Sequence, residues 1–265
     1  MLDIIRQAYD NGTREIGFYL IGEPLMNPDM EAYVAHAHKL GFEYIYLTSN
    51  GALATIERMK SLISAGLNSI KFSVNAATPE TYMTTHGKDD YETVKKNILD
   101  LRNYITEQQL DIPLFISFVQ TEITKSDVDR LHRDFDGVVD KLYIFPCANQ
   151  GDNMSDVLAK GVIKKEQLFP GSSIPCAMVF NRLHITCEGY LDACCSDVDG
   201  NLAAVDLHNM SLLEAWYSDI MIALRRRHLS GDLRGTLCHN CAHNAEEAVY
   251  PLNSALAPKS RPQEK

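Results

Sequence analysis

Along residues 1–150 the apolar positions fall into two alternating kinds of run. Five are short and rich in β-branched and aromatic residues: Glu15–Ile21 (EIGFYLI), Glu43–Thr48 (EYIYLT), Ser69–Val74 (SIKFSV), Pro113–Val119 (PLFISFV) and Lys141–Phe145 (KLYIF). They are largely apolar rather than alternating, the pattern of strands covered on both faces. Between them lie segments of helical character. Leu2–Tyr9 is one, and Asp29–Leu40 follows Asn27-Pro28, a capping residue and a first-turn proline. Ile56–Ala65 stops at Gly66, Thr78-Pro79-Glu80 opens a further helix, and Tyr91–Gln108 and Ser126–Phe135 supply two more. Repeating βα units demand a mostly parallel sheet, because parallel neighbours need a crossover between them. Two architectures satisfy this, an open doubly wound sheet or an arc of a (β/α) barrel. Both put the chemistry beyond the C-terminal ends of the strands.

Those strand ends are polar. The first reads Ile21-Gly22-Glu23-Pro24-Leu25-Met26-Asn27-Pro28, the second Leu47-Thr48-Ser49-Asn50-Gly51, the third Phe72-Ser73-Val74-Asn75-Ala76-Ala77. Each alone reads as a tight turn. Three at successive strand ends favour a shared ligand. Gly22 allows close backbone approach, and Glu23 can pair with an ammonium. Ser49, Asn50 and Ser73 offer hydroxyl and amide partners for ribose hydroxyls. A nucleoside bearing an amino-acid group satisfies the whole set.

All seven cysteines of the 265 residues lie in the second half: Cys147, Cys176, Cys187, Cys194, Cys195, Cys238 and Cys241. The start of the chain, Met1-Leu2-Asp3-Ile4-Ile5-Arg6, has no basic-then-apolar secretion signal, so clustered cysteines point to metal or catalysis before disulfides. Asn181–Cys187 and Tyr190–Cys195 read as two strands of a hairpin turning at Glu188-Gly189. Neighbours on a strand face opposite ways, so Cys194 and Cys195 divide into one ligand and one packed residue. Cys187 reads as packing, and Cys147 as a buried spare thiol. Ser211-Leu212-Leu213-Glu214 is a capping box opening one amphipathic helix through Leu213, Trp216, Ile220 and Leu224, with Arg225–Arg227 as its solvated last turn. Cys238-His239-Asn240-Cys241 lets two sulfurs reach one centre, and Cys176 and Cys194 complete a four-thiolate set. Spacing alone leaves a structural zinc site and an iron–sulfur cluster equally open. The composition adds exclusions. A net charge of −10 argues against a phosphate-backbone binder, and no apolar run approaches the ~18–20 residues that cross a bilayer. The expectation is a cytoplasmic protein that binds neither nucleic acid nor membrane.

GEP, then SNG, then SVNAA followed by Glu80-Thr81-Tyr82 resembles the motifs GGEPL, TNG and S-x-DAA-x-x-x-x-Y of the radical S-adenosylmethionine (radical SAM) enzymes. The resemblance runs from about Arg14 through Phe145 and on into the cysteine-rich half. It implies that Gly22, Glu23 and Pro24 hold the methionyl amine of S-adenosylmethionine (SAM), and that Ser49, Asn50 and Ser73 serve its ribose. Ile21 and Asn75 depart from the usual Gly and Asp. The family's Cys-x-x-x-Cys-x-x-Cys loop is absent, so the chain reads as shortened at its N-terminus, and a second [4Fe–4S] cluster belongs to it only if that segment is present. Cys176-x₁₂-Gly189-x₄-Cys194, then SLLEAW and Cys-x-x-Cys, resembles the SPASM auxiliary-cluster extension. No cysteine follows Cys241, which implies the one-cluster "twitch" version found in 2-deoxy-scyllo-inosamine dehydrogenase-type enzymes, with Cys176, Cys194, Cys238 and Cys241 around an auxiliary [4Fe–4S] cluster.

The implied fold is α/β, a partial (β/α)6 barrel lacking its first strand plus a small C-terminal β-hairpin/helix cysteine-rich domain. The expected boundaries are 1–150 for the barrel, 151–173 for a linker, 174–247 for the cluster domain and 248–265 for a tail, whose Pro- and charge-rich end after Ala257 is expected to be disordered. The implied function is generation of a 5′-deoxyadenosyl radical for hydrogen abstraction. Oxidation of a sugar-like alcohol or modification of a peptide is the reaction expected, with flavodoxin or ferredoxin as electron donor. The alternative is a non-catalytic iron–sulfur protein, an electron carrier or pseudoenzyme partner.

Overall fold

The computed structural model describes residues 1–147, 175–197, 200–202, 205–239 and 241. The chain divides into two compact units, Met1–Cys147 and Ala148–Lys265. The expected linker and tail lie outside the described residues.

In the first unit each expected strand forms: β1 Glu15–Phe18, β2 Tyr44–Ser49, β3 Ser69–Ser73, β4 Leu114–Gln120 and β5 Lys141–Pro146. All neighbours pair in parallel, in the order β1-β2-β3-β4-β5. The order never reverses, so right-handed crossovers carry every helix to the same face. That excludes the doubly wound alternative and leaves an arc of a barrel. The helices are α1 Leu2–Asp10, α2 Met30–Leu40, α3 Ile56–Ala65, α4 Pro79–His86, α5 Tyr91–Glu107 and α6 Val128–Phe135.

Local sequence accounts for most boundaries. Gly41 and Gly66 end α2 and α3 in the left-handed conformation, at φ 98° and 112°. Thr78 and Thr81 close a capping box on α4, with Pro79 in its first turn. The start of α2 differs from expectation. Asn27 spends its side chain on the amide of Asp29 at 2.8 Å, so Asp29 is the N-cap and Pro28 lies outside the helix.

Burial corrects the reading of strands covered on both faces. In β2 it alternates: Ile45, Leu47 and Ser49 are buried, Tyr44, Tyr46 and Thr48 half-buried. The buried set joins Ile70, Phe72, Leu114, Ile116 and Phe118 against Val34, Met59, Leu62, Val94, Ile98 and Leu101 from the helices. Each such side chain contributes about 1.5–3 kcal/mol of burial free energy. The other, concave face carries Tyr44, Tyr46, Phe115, Tyr143 and Phe145, and these aromatics gave the strands their uniformly apolar appearance.

In the second unit β6 (His184–Ile185) and β7 (Tyr190–Asp192) form the expected hairpin, with β8 (Val205–Asp206) as a third strand that was not foreseen. Helix α7 covers Met178–Asn181. The single amphipathic helix is in fact two, α8 (Leu212–Trp216) and α9 (Asp219–Ser230), broken at Tyr217 and Ser218. The break rotates the faces: Leu213 and Ile220 are 46% and 49% exposed, while Leu212, Ala215, Met221 and Leu224 are buried. The Ser211–Glu214 capping box forms as expected.

Candidate functional site

The loop after β1 is fastened to the end of β2 through one carboxylate. Glu23 caps a short 3₁₀ turn, Pro24–Met26, its Oε1 accepting the amide of Leu25 at 3.0 Å. The same oxygen accepts the Ser49 hydroxyl at 2.7 Å, and Oε2 accepts the amide of Asn50 at 2.7 Å. Ser49 Oγ in turn accepts the amide of Gly51 at 3.0 Å, and Asn50 Oδ1 accepts that of Ala52 at 2.9 Å. Ser49 is only 2% exposed, so its hydroxyl is engaged within the fastening. Gly22 holds φ 103°, a left-handed conformation natural to glycine, with open space where a side chain would project. Buried Asn97 on α5 donates to the Gly51 carbonyl at 2.9 Å and pins this rim to the helix layer.

At the next strand end, Ser73 Oγ lies 3.2 Å from Ser117 Oγ of β4. Asn75, at φ 52°, accepts the Val119 amide on Oδ1 at 2.8 Å, a bridge that an aspartate oxygen would make as well. Tyr82 is buried against His86, their rings stacked 4.1 Å apart, and its phenol is pushed up to about 12, by burial first and then by the charges of Asp90 and Glu23.

Between these rims lies a cleft of about 530 Å³, within the usual range of small-molecule sites. Gly22, Glu23, Ser49, Asn50 and Ser73 all line it, and Pro24 does not. The sequence reading missed Lys71, which shares the cleft with Ser117, Thr48 and Tyr19. Period-two alternation offered the signal, since Lys71 lies two residues before Ser73 on the same face. Its ammonium stands 5.7 Å from the Tyr19 ring centroid. Lys71 also lines an aromatic hollow of about 190 Å³ deeper along the concave face, beside Tyr44, Tyr46 and Phe115.

In the second unit β7 stops at Asp192, whose Oδ1 accepts the amides of Ala193 at 2.6 Å and Cys194 at 3.4 Å. Cys194 and Cys195 therefore lie in a turn, and strand alternation does not separate them. Their thiols hydrogen-bond: Cys194 is held strongly protonated, and Cys195 is drawn down to about 7, chiefly by that bond. Cys238 is pushed up to about 12, by burial first, then by the charges of Cys194, Cys241 and Cys176. Cys176, Cys194 and Cys241 thus stand near enough to Cys238 for their charges to act on it. Among the described residues no three His, Cys, Asp or Glu stand ready to hold a metal ion. Cys187 is exposed at the hairpin turn, donating to Glu188 Oε1 at 3.1 Å, and is not the packed residue expected. Cys147 is buried, which raises its thiol.

Comparison with known proteins agrees with both halves. The model of the radical SAM superfamily matches residues 1–134. The chain belongs to that superfamily. A model of SPASM, an iron–sulfur cluster-binding domain, matches residues 176–242, and together the two domains imply SAM and [4Fe–4S] clusters as cofactors. The chain is 31% identical over 138 residues to a PqqA peptide cyclase of Streptomyces rochei, covering 52% of this chain and 35% of that protein. It is 35% identical over 96 residues to a probable GTP 3′,8-cyclase of Methanothermobacter marburgensis, covering 36% and 31%. The chain spans about a third of the length of these curated relatives. Two structures of Streptococcus suis SuiB, bound to S-adenosylmethionine and to precursor peptide SuiA, share the fold. Their TM-scores are 0.60 and 0.62 at 16% and 14% identity, over 84% and 91% of this chain and 58% and 62% of theirs. No described helix is long and apolar enough to cross a membrane.

Proposed function

We propose that this chain forms the SAM-binding arc and auxiliary-cluster domain of a radical SAM enzyme acting on a peptide. The observation that carries the reading is the convergence of three separate strand-end motifs on one cleft, with a carboxylate and an ammonium facing the same space. A zwitterionic amino-acid group asks for that pair. A carboxylate has about four acceptor positions, and three on Glu23 are filled by Leu25, Ser49 and Asn50. The remaining lone pair is the one available to the methionyl ammonium, and the three internal bonds fix its direction. Lys71 balances the methionyl carboxylate. The Asn50 amide nitrogen and the Ser73 hydroxyl serve the ribose, and the Gly22 backbone leaves room for the ligand to approach.

Bound SAM supplies, on reductive cleavage, the 5′-deoxyadenosyl radical that takes a substrate hydrogen. Residues 1–146 contain no cysteine and so do not fit the three-cysteine loop that delivers that electron. Cys176, Cys194, Cys238 and Cys241 are chemically suited to an auxiliary cluster, as half-buried thiols of which three act on the charge of the fourth, Cys238. The peptide assignment draws on the PqqA peptide cyclase relative, with a sugar-like alcohol as the competing class.

The test is direct titration of the protein with SAM by calorimetry, together with iron and zinc analysis after anaerobic reconstitution. Saturable SAM binding and about four irons per chain support the reading. Stoichiometric zinc, or no SAM binding, overturns it. Titration with candidate precursor peptides and aminocyclitols then separates the substrate classes.

A further inference from the structure

The last turns of α9 carry two buried polar side chains that neither the motifs nor the cleft account for. His228 is 1% exposed, and its Nδ1 accepts the backbone amide of Cys176 at 3.3 Å. An imidazole that accepts at Nδ1 carries its proton on Nε2, and that nitrogen is buried with no hydrogen-bond partner. Three residues earlier, on the same helix face, Arg225 is 3% exposed, against the expectation of a solvated helix end. Its Nε donates to the Val179 carbonyl at 2.9 Å and its Nη1 to the Trp216 carbonyl at 2.6 Å. Its guanidinium stacks 3.9 Å from the Trp216 centroid, and Nη2 is buried without a partner. Among the described residues no carboxylate pairs with it. A buried cation without a counter-ion is costly, and so is each orphaned donor. Val179 lies three residues beyond Cys176, so both side chains grip one short segment, and that segment carries a cluster-ligand candidate.

We propose that His228 and Arg225 are positioning residues for the auxiliary cluster, His228 orienting the Cys176 turn through its amide and Arg225 holding the same turn through the Val179 carbonyl. This rests on the four-cysteine reading given above. It follows because groups that fix the backbone of a ligand govern how firmly that ligand holds its centre.

The test uses the full chain, reconstituted anaerobically, with variants R225Q, R225K, H228A and H228N. R225Q, which loses the charge-assisted bonds to the Val179 and Trp216 carbonyls, is expected to release cluster iron to a chelator several-fold faster than wild type. R225K, retaining charge, returns toward wild type. H228A is expected to lose iron to a chelator several-fold faster. H228N, whose side-chain oxygen takes the place of Nδ1 as acceptor, slows that loss. Wild-type chelation rates in both R225Q and H228A overturn the proposal. If circular dichroism shows R225Q unfolded, the histidine pair decides, and wild-type chelation in H228A is refutation. A wild-type chain that holds no iron–sulfur cluster overturns the four-cysteine reading itself, before any variant is made.

Discussion

Substituting Glu23 with Gln tests whether the fastening of the β1 loop and the binding of an ammonium reside in one carboxylate. Gln keeps the shape and removes the charge. Its amide oxygen can retain the Oε1 position, accepting from Leu25 and Ser49, but its NH₂ then faces the Asn50 amide, donor against donor. One charge-assisted bond is lost and a half-buried donor is stranded, a cost of about 1–3 kcal/mol. For a unit of this size that lowers the melting temperature by roughly 2–4 °C per kcal/mol. Loss of the ammonium pairing adds a separate effect on affinity, where every 1.4 kcal/mol is about tenfold. Thermal denaturation and SAM calorimetry, run on E23Q beside S49A, separate the two. S49A removes part of the fastening and leaves the charge, so it loses stability with little change in affinity. E23Q loses both, its SAM affinity falling at least tenfold. If E23Q melts early yet binds SAM like wild type, Glu23 only holds the loop and the ammonium site lies elsewhere.

Three further outcomes follow from particular contacts. C194A loses the reconstituted cluster, and C195A keeps its iron at roughly 1 kcal/mol of stability, read by iron analysis and thermal melting. The reverse result exchanges their roles. N75A strands the Val119 amide and keeps a β-carbon at φ 52° without the side-chain bond that holds it there, costing about 1–3 kcal/mol in urea denaturation, whereas N75G relieves the backbone part; equal losses would exclude strain as a contribution. For Asp134 burial opposes ionisation, but Lys95 at 2.9 Å and the Tyr91 hydroxyl at 3.2 Å outweigh it and hold the carboxyl low. Its folded value lies below the unfolded one, so its stabilisation is present above the ordinary carboxylate range and is lost as pH falls through the folded value. D134N therefore costs up to about 1 kcal/mol at neutral pH and nothing near pH 2, read as urea midpoints at the two pH values.

The barrel arc was legible because parallel βα units announce themselves twice, in short β-branched runs and in helix punctuation such as Thr78-Pro79 and Gly66. The strand-end motifs were legible for the same reason, lying where the chain must turn. What the sequence hid was the direction of side chains. Aromatic residues on the concave face of β2 and β4 imitated a doubly covered sheet, and Lys71 was lost among them. In the second unit the error was local. Asp192 ends β7 with a side-chain-to-amide turn, so the alternation invoked for Cys194 and Cys195 never operates. The break at Tyr217 and Ser218 turned Arg225 from surface to interior, and no spacing rule predicts a helix break without Gly or Pro.

The choice between zinc and a cluster, which spacing left open, is weighted toward the cluster by the SPASM match over residues 176–242, and size gives the independent check. Charge does not decide it, since four thiolates leave either centre with the same net charge when the cubane is in its 2+ state. A tetrahedral zinc with bonds of about 2.3 Å draws its four sulfurs to within about 3.8 Å of one another. A cubane takes each thiolate on a different iron, so its ligands stand farther apart. Cys238 senses the charges of Cys176, Cys194 and Cys241 through a buried medium, which requires proximity. The separation of the four sulfurs in the loaded protein is therefore the measurement that tells the two centres apart, about 3.8 Å for zinc and more for a cubane.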